Sequence, residues 1–392
     1  MKFEPFENIF KDSTSNFTKV KKEDYKAIGT YPIVDQGQNF IGGYTDDEEL
    51  VVKENLPVII FGDHTKIFKY IDFPFTIGAD GVKVLSLRNE KNNLLFFYYF
   101  LKSIKIVDKG YSRHFKYLKE KKLPVANYSD QLHIANLLSK AENLISQRKE
   151  SIRLLDEFLK STFLEMFGDA VNNEKKWDKS ELKNFAKVRI GPFGSLLHRE
   201  DYVQNGVPLV NPSHIGDGKI FIDPELTISK AKMKELTAYV MHEGDVVLGR
   251  RGEIGRCAVV TKKEDGFLCG TGSIYLRPTK QLNPIFLYNI ISSTSMRKVL
   301  ENSAKGITMK NLNSGIIENL KIPVPPVQLQ TQFAQIAEKT EALKTQYQQS
   351  LHELENLYGS LSQKAFKGEL TLKQAKEQVL MAAEPEAKYN KQ

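Results

Sequence analysis

Two long stretches of the chain carry apolar or small residues at steps of three and four. In the first stretch these are Ile134, Leu137, Ala141 and Leu144, and then, after Arg148 interrupts the seam, Ile152, Leu155 and Leu159. In the second they are Phe333, Ile336, Thr340, Leu343, Tyr347, Leu351, Leu354, Tyr358 and Leu361. Such spacing predicts two long helices, each with a seam of the coiled-coil type. At about 1.5 Å per residue, a helix of about 36 residues forms a rod of roughly 54 Å.

The two stretches are copies of one another. Residues 124–167 align without a gap to residues 323–366, so that Pro124 matches Pro323 and Phe167 matches Phe366. The identical pairs between them include Gln131/Gln330, Ala135/Ala334, Lys140/Lys339, Glu142/Glu341, Leu144/Leu343, Gln147/Gln346, Ser151/Ser350, Leu155/Leu354 and Ser161/Ser360. Solenoid repeats are far shorter than this, so the pattern indicates a duplicated unit of one globule and one helix.

The segments before the two helices repeat a β-type order. In the first, YPIVDQGQNFIGGY, LPVIIFGDH and GVKVLSL are predicted strands, and NNLLFFYYFLKS at 92–103 is a predicted buried helix. The second segment parallels them with GVPLVN (206–211), EGDVVLGR (243–250), GTGSIYLRP (270–278) and LNPIFLYNIISS (282–293). Each segment closes on a Lys-Gly loop, at 109–116 and 305–312. The globules are therefore expected to share a fold and differ in their loops.

The fold class predicted is α+β, with two β-rich globules that are each followed by a long helix. The expected parts are residues 1–122, 123–168, 169–321 and 322–375, and then a tail over 376–392. Proline-rich segments stop the chain before each helix, and Asp130 is the expected N-cap of the first. The helices are expected to pair antiparallel, giving pseudo-twofold symmetry. The alternative is that each helix packs on its own globule.

Composition narrows the class of protein. The chain of 392 residues has 56 basic and 48 acidic residues, a net charge of +8, which favours an anionic partner without requiring one. The 2 cysteines, Cys257 and Cys269, form no CxxC pair, so neither a zinc cluster nor a disulfide framework is supported. There is no apolar signal segment and no apolar run long enough for a membrane helix, so a cytoplasmic protein is expected.

Common catalytic motifs are missing from the sequence. It contains no GxxxxGK[ST] loop, no HExxH and no GxSxG, and Gly249, Gly252 and Gly255 do not have dinucleotide-binding spacing. Asn211-Pro212-Ser213-His214 lacks the second proline and the aromatic residue of an amino-methyltransferase loop. No catalytic, metal-binding or cofactor-binding residue is therefore predicted.

Polar and basic loops bounded by glycine recur in both globules. Arginine in such loops can approach phosphate or form a bidentate contact with guanine. The candidate DNA-binding residues are Gln36, Gln38, His64, Thr65, Lys66, Lys69, Lys109, Tyr111, Ser112, Arg113, His114 and Lys116 in the first globule, and Asn211, Ser213, His214, Arg250, Arg251, Arg256, Lys305, Thr308, Lys310 and Asn311 in the second. Any one of these loops alone would be interpreted as an ordinary solvated turn.

Taken together, these features resemble the specificity subunit of a type I restriction–modification enzyme. Four stretches carry the resemblance, at 243–260, 270–278, 305–336 and 59–85, and the order of globules and helices covers essentially the whole chain. The run at 305–336 is the most specific, because its closing loop leads directly into the proline-rich start of the helix. The first globule departs from the pattern at His64-Thr65-Lys66, where the second has its arginine loop.

The resemblance implies a non-catalytic subunit that binds double-stranded DNA. Each globule would be a target-recognition domain that reads one half of a bipartite, asymmetric site, and the helices would set the gap. The implied partners are two methyltransferase subunits, with restriction subunits in the full complex; S-adenosylmethionine, ATP and Mg would be bound there and not by this chain. Two alternatives stay open, a recognition module related to single-chain restriction–methylation enzymes and a coiled-coil adaptor that does not bind DNA.

Overall fold

The chain folds into two compact units. A computed structural model describes residues 1–78, 80–107, 110, 112–193, 196–216, 218–304, 311–370 and 372. The first unit takes residues 1–150 together with the chain from Gln348 onward, and the second takes Ser151–Tyr347. Each unit therefore combines one β-rich part with segments of both long helices. The predicted tail at 376–392 lies outside the described residues.

The first unit is built on a four-stranded antiparallel sheet. Its strands are β1 (Lys2–Pro5), β2 (Phe10–Asp12), β3 (Lys19–Val20), β4 (Tyr31–Val34), β5 (Gly43–Thr45), β6 (Val58–Gly62), β7 (Phe68–Ile71), β8 (Thr76–Gly78), β9 (Val82–Leu87) and β10 (Lys122–Val125). The helices are α1 (Phe6–Ile9), α2 (Leu94–Ser103) and α3 (Phe115–Lys119), and the long α4 (Tyr128–Phe167) follows. The main sheet has the order β2-β9-β6-β7, a second sheet has the order β3-β8-β4-β5, and β1 pairs with β10.

The second unit repeats this plan. Its strands are β11 (Lys179–Glu181), β12 (Ala186–Ile190), β13 (Tyr202–Val203), β14 (Val207–Val210), β15 (Ile215–Gly216), β16 (Lys219–Ile220), β17 (Thr227–Ile228), β18 (Val246–Gly249), β19 (Cys257–Val259), β20 (Leu268–Cys269), β21 (Ser273–Pro278) and β22 (Lys321–Pro323). The helices are α5 (Lys230–Glu235), α6 (Pro284–Ser292), α7 (Thr294–Ser303), α8 (Ser314–Glu318) and the long α9 (Val327–Lys367).

Strand order confirms the duplication predicted from the sequence. The main sheet of the second unit runs β12-β21-β18-β19, and β11 pairs with β22 as β1 pairs with β10. In both units a short strand pairs in parallel with the strand before the first polar loop, β8 with β4 and β20 with β14. The predicted aromatic helices are α2 and α6, which pack on the main sheets through Phe97 and Phe286.

Segments of the two long helices run antiparallel within each unit. In the first unit Lys149 of α4 pairs with Glu355 of α9 at 2.8 Å, and Ala365 joins the core cluster that contains Leu138. Earlier residues of α4 thus meet later residues of α9. The second unit shows the same direction, since Asp156 bonds Lys344 at 2.5 Å. There the rings of Phe163 and Phe333 also lie 5.2 Å apart, between their centroids.

The seam differs from the predicted one where the spacing changes. Leu144 and Leu343 were expected on the seam, yet their exposed fractions are 50% and 37%. Their neighbours Ile145 and Lys344 are the less exposed residues. Alternating steps of three and four repeat every 3.5 residues on average, whereas the α-helix turns once every 3.6 residues. Positions with this spacing therefore drift around the helix until an additional step of four brings them back to the seam.

The first long helix also begins earlier than predicted. Asp130 lies in its first turn, and the side chain of Asn127 accepts the Asp130 backbone amide at 2.8 Å. Asn127, not Asp130, is therefore the capping residue. The Asp130 carboxylate instead accepts the amide of Leu372 at 2.8 Å, near the opposite end of α9.

Matched glutamines join each helix to its β-rich part. Gln131 of α4 is 1% exposed and its Oε1 accepts the backbone amide of Asn93 at 2.7 Å. Gln330 of α9 is fully buried and its Oε1 accepts the amide of Asn283 at 2.8 Å. Buried polar side chains are as a rule hydrogen-bonded, and these bonds attach the first turn of each long helix to its β-rich part. Among the described helices, none is both long and apolar enough to cross a membrane.

Candidate functional site

In the first unit the polar loop after β4 is organised around Asp35. Its carboxylate accepts the amide of Gly37 at 2.8 Å and lies 3.3 Å from the ammonium of Lys22. Lys69 is 3% exposed and donates to the carbonyl oxygens of Asp35 and Asn39 at 2.7 and 2.6 Å. Burial lowers the pKa of Lys69, and Asp35 opposes that effect. Lys69 therefore holds the loop from inside.

Gln36 connects this loop with the loop after β6. Its Oε1 accepts the His64 amide at 3.2 Å, and its carbonyl accepts the Thr65 hydroxyl at 2.6 Å. Its Nε2 donates to the carbonyl of Asp80 at 2.9 Å. Three segments distant in sequence, around residues 36, 64 and 80, thus form one surface. Gln36, His64 and Thr65 are all candidate DNA-binding residues from the sequence, and the structure places them side by side.

The loop after β14 takes the same place in the second unit. Asn211 and Pro212 follow β14 as Asp35 and Gln36 follow β4. A Cβ at Gly249 or Gly272 would lie 3.1 or 2.9 Å from Pro212. In the first unit, a Cβ at Gly62 or Gly81 would lie 2.9 or 2.5 Å from the side chain of Gln36. Gly62 and Gly81 in the first unit, and Gly249 and Gly272 in the second, therefore provide the space in which the loops after β4 and β14 pack.

His214 stabilises the second loop internally. It is 7% exposed, and its Nδ1 lies 2.9 Å from the Leu209 carbonyl. Ser213 beside it is exposed. Of the sequence-predicted residues in this loop, Asn211 and Ser213 are thus the two that reach the surface.

In each unit the residue after the third strand of the main sheet, β6 or β18, is hydrogen-bonded to the segment at the end of the Lys-Gly loop. The side chains that make these bonds differ between the units. In the first unit the carbonyl of Asp63 accepts the His114 amide at 2.8 Å, and its carboxylate accepts the Phe115 amide at 2.7 Å. In the second unit the carbonyl of Arg250 accepts the Leu312 amide at 3.0 Å, and its Nε donates to the Asn311 side chain at 3.0 Å. Asp63 of the first unit thus occupies the position that Arg250 has in the second, so a carboxylate replaces a guanidinium there.

The candidate residues divide by exposure. Those that are exposed are Gln38, Thr65, Arg113, Lys116, Ser213 and Arg251. Partly exposed are Gln36, His64, Lys66, Ser112, Asn211, Arg256 and Asn311. Buried are Lys69, His114, His214 and Arg250. Lys109, Tyr111, Lys305, Thr308 and Lys310 lie outside the described residues.

Neighbouring arginines of the second unit have different environments. Arg250 is 6% exposed, and its burial together with the charge of Arg251 lowers the pKa of its guanidinium. Arg251 is exposed at the tip of the turn. Arg256 pairs with Glu253 at 2.5 Å. Consequently Arg251 presents its charge to solvent, whereas Arg250 supports the loop.

Two further residues at this surface were missed from the sequence. Arg297 of α7 and Phe221, which follows β16, line one open cavity with Ser213 and Arg256. Phe221 is 56% exposed. The sequence signals were an Arg-Lys pair on an amphipathic helix and an aromatic residue three positions after Gly-Asp-Gly, and neither shows which way its side chain faces.

The described residues offer no metal site or reactive thiol. No group of three His, Cys, Asp or Glu residues is arranged to bind a metal within the described ranges. Cys257 and Cys269 are free and buried, and burial raises the pKa of Cys257 to about 12. Burial likewise raises the pKa of Cys269.

Comparison with known proteins gives one consistent family. Residues 8–154 and 174–356 match the family described as type I restriction modification DNA specificity domain. The chain is 20% identical over 341 residues to the EcoR124I/EcoR124II specificity subunit of Escherichia coli, covering 83% of this chain and 82% of that protein. It is 22% identical over 318 residues to the MjaVIII specificity subunit of Methanocaldococcus jannaschii, covering 74% and 73%.

A solved structure agrees with these sequence relationships. The S subunit of a type I restriction–modification system from M. genitalium superposes with a TM-score of 0.63 at 17% identity, covering 93% of this chain and 96% of that one. At this identity the likeness shows the fold. Together with the family match, which spans both β-rich parts, it leads to one conclusion: the chain belongs to the family of type I restriction–modification DNA specificity subunits.

Proposed function

We propose that this chain reads a bipartite, asymmetric DNA site for a type I restriction–modification complex. Each β-rich part reads one half of the site. The chain itself performs no catalysis, and it directs adenine methylation or restriction by partner subunits.

The observation that carries the proposal is one scaffold with two sets of loop side chains. Sheet order and glycine positions match in the two units, whereas Gln36 corresponds to Pro212 and Asp63 to Arg250. Hydrogen-bond donors and acceptors at a loop determine which base edges it can recognise. Two copies with different polar groups at matched places are suited to reading two different half-sites.

The exposed candidates supply both kinds of contact that DNA recognition needs. Arg251 can form a bidentate contact with guanine, and the amide of Gln38 can do so with adenine. Arg113 and Lys116 are exposed cations of the first unit that suit backbone phosphates. The buried residues Lys69 and Arg250 support the proposal indirectly, because they fix the loops that carry these groups.

Repeated apolar positions on the long helices suit two copies of one partner. In the first unit Leu144 and Leu357 are each 50% exposed; in the second Phe158 and Leu343 are 49% and 37% exposed. The repeat matches Leu144 with Leu343 and Phe158 with Leu357. Leu144 and Leu357 of the first unit form patch 1, and Phe158 and Leu343 of the second unit form patch 2. Exposed apolar groups at repeated places favour protein docking, and their number fits two methyltransferase subunits.

Cofactor chemistry is assigned to those partners. S-adenosylmethionine would be bound by the methyltransferase subunits, and ATP and Mg by the restriction subunits. The role of this chain is to place the partners at a chosen sequence.

The proposal is tested by co-expressing the chain with its methyltransferase subunit and mapping adenine methylation across the host genome. A two-part motif with a fixed gap is expected. Replacing Arg251 should alter one half of the motif, and replacing Gln38 should alter the other. A matched control is Lys187→Ala, an exposed cation on β12 away from these loops. A stable complex that leaves no two-part motif contradicts the proposal.

A further inference from the structure

The second unit has an open groove beside its candidate DNA surface. It measures about 340 Å³ and lies between the β15–β16 hairpin and helix α7. Ser213 and Phe221 line it from the hairpin side, and Arg256 and Arg297 line it from the other. Helix α7 directly follows α6; in the first unit α2, the counterpart of α6, is not followed by a helix within the described residues up to 107.

Arg297 is held in this groove by a close backbone approach. A Cβ at Gly255 would lie 2.5 Å from Arg297 Cγ, so the stem of the arginine packs directly on the glycine. Gly255 also has a φ of +88°, a conformation that other residues adopt only with strain. A side chain at position 255 would therefore be disfavoured for two independent reasons, the backbone conformation and a clash with Arg297.

The charges of the groove leave Arg297 available to an anion. Glu253 pairs with Arg256 at 2.5 Å. Arg297 is exposed, and within the described ranges it takes part in no side-chain hydrogen bond or ion pair. Glu301, one turn further along α7, lines the adjoining cavity and has a partner of its own. The groove thus offers two guanidinium groups, of which one is already neutralised.

An apolar surface completes the groove. The ring of Phe221 is 56% exposed and lies against Gly216, where a Cβ would meet its Cε2 at 3.3 Å. The Phe221 amide donates to the His214 carbonyl at 2.8 Å, which fixes the backbone of Phe221 relative to the loop that carries Ser213. Ile222 beside it is 46% exposed. An apolar face next to a guanidinium that has no carboxylate partner among the described residues matches a deoxyribose next to its phosphate.

We propose that this groove binds one nucleotide of the DNA backbone, with Arg297 on the phosphate and Phe221 against the sugar. The proposal deepens the DNA-reading function proposed above and rests on it. Phosphate contacts set the register of a protein on DNA without specifying sequence. Arg297 is accordingly a positioning residue of the second unit.

The test measures DNA affinity of the complex between the full chain and its methyltransferase subunits. The probes are a duplex that carries the methylated motif and a duplex of scrambled sequence, each titrated at several salt concentrations. Arg297→Ala should weaken both by roughly tenfold and reduce the slope of log affinity against log salt by about 0.9, the value for one phosphate. Phe221→Ala should weaken binding with the slope unchanged, and Phe221→Leu should retain most affinity.

Lys298→Ala is the matched control, because it removes one exposed charge from the same helix at a residue that does not line the groove. It should change affinity by less than about twofold. If Arg297→Ala leaves both the affinity and the salt slope as in the wild type, the inference is overturned while the proposed function stands. A change in the methylated motif, with scrambled DNA unaffected, overturns it too, because Arg297 would then be reading a base. If the wild-type complex binds neither duplex, the proposed function itself fails.

Discussion

Gln131 and Gln330 make the same pair of hydrogen bonds at the starts of the two long helices. Each side-chain oxygen accepts the amide of the asparagine before the aromatic helix, Asn93 or Asn283, at 2.7 or 2.8 Å. Each side-chain nitrogen donates to a carbonyl five residues earlier, at 2.9 or 2.7 Å. The duplication therefore extends from the sequence to individual hydrogen bonds where each long helix meets its β-rich part.

Gln330→Ala should destabilise the second unit. It would leave the Asn283 amide and the Pro325 carbonyl without these bonds, and each unsatisfied buried group costs about 1–3 kcal/mol. We expect the free energy of unfolding to fall by about 2–4 kcal/mol in urea denaturation. Gln346→Ala, on the exposed face of the same helix, is the control and should be neutral. Equal stability of the two variants would refute this role.

Arg277→Ala should destabilise the main sheet of the second unit. Its guanidinium donates to both carboxylate oxygens of Asp245 at 2.8 and 2.7 Å, and the Asp245 side chain is only 2% exposed. These hydrogen bonds raise the pKa of Arg277. Removing Arg277 leaves the buried Asp245 carboxylate without its partner, which lowers the free energy of unfolding. Because the Arg277 side chain is 37% exposed, solvent screens the pair, and we expect a loss of only about 2–3 kcal/mol.

The control for that variant is Lys187→Ala, which lies opposite Arg277 in the register of β12 and β21. It removes an exposed cation that has no such partner in the described chain. Thermal and urea unfolding of both variants give the comparison. A Lys187 variant as unstable as the Arg277 variant would show that strand composition, not the ion pair, is responsible.

Arg250→Ala should lower stability, whereas Arg251→Ala should alter DNA specificity. Arg250 is buried against Asn311, so its loss should lower stability by about 1–3 kcal/mol. Arg251 is exposed, so its loss should leave urea unfolding unchanged and relax one half of the methylated motif, in line with the roughly 1–3 kcal/mol that a bidentate base contact contributes to discrimination. An unaltered motif in the Arg251 variant would remove it from the set of base readers.

The helix patches predict partner stoichiometry. Substituting Leu144 and Leu357 with serine should remove one methyltransferase copy, and substituting Phe158 and Leu343 should remove the other, as counted by native mass spectrometry. Leu154→Ser is the control, because Leu154 is 49% exposed but is matched by Glu353 in the repeat. Two bound copies after all four substitutions would place docking elsewhere.

The cysteines should be unreactive in the folded protein. Cys257 and Cys269 are 3% and 0% exposed, and burial raises the pKa of both thiols, so the thiolate that reacts with iodoacetamide is absent at pH 8. Mass spectrometry should find labelling only in urea. Ser161→Cys, on an exposed position of α4, is the positive control and should react without denaturant. Rapid native labelling of Cys269 would indicate local opening of the second sheet.

Elements and their order could be predicted from the sequence, because apolar periodicity and an internal repeat constrain each other. The strand LPVIIFGDH and its counterpart EGDVVLGR both became third strands of the main sheets, as β6 and β18. Which polar side chains are exposed could not be predicted. Arg250 and Arg251 are neighbours of identical type, and contacts that are distant in sequence, such as that of Arg250 with Asn311 some 60 residues away, distinguish the buried one from the exposed one.

The predicted helix seam shows a second kind of limit. Leu144 fits a three-and-four pattern as well as Ile145 does, and a difference of one residue rotates a side chain by about 100° around the helix. Arg297 shows a third, because the close approach to Gly255 that positions it joins residues of different elements. Each limit arises where tertiary packing chooses between locally equivalent residues.

The pairing of β1 with β10, and of β11 with β22, brings the two ends of each β-rich part side by side, at Phe3 with Pro124 and at Ser180 with Ile322. For the second β-rich part, which lies between α4 and α9 in the chain, a replacement domain would need only to present two adjacent strands to join the same helices. If each β-rich part reads one half-site as proposed, exchange of this part by recombination would create a new combination of half-sites in one step, without any adjustment of the helices.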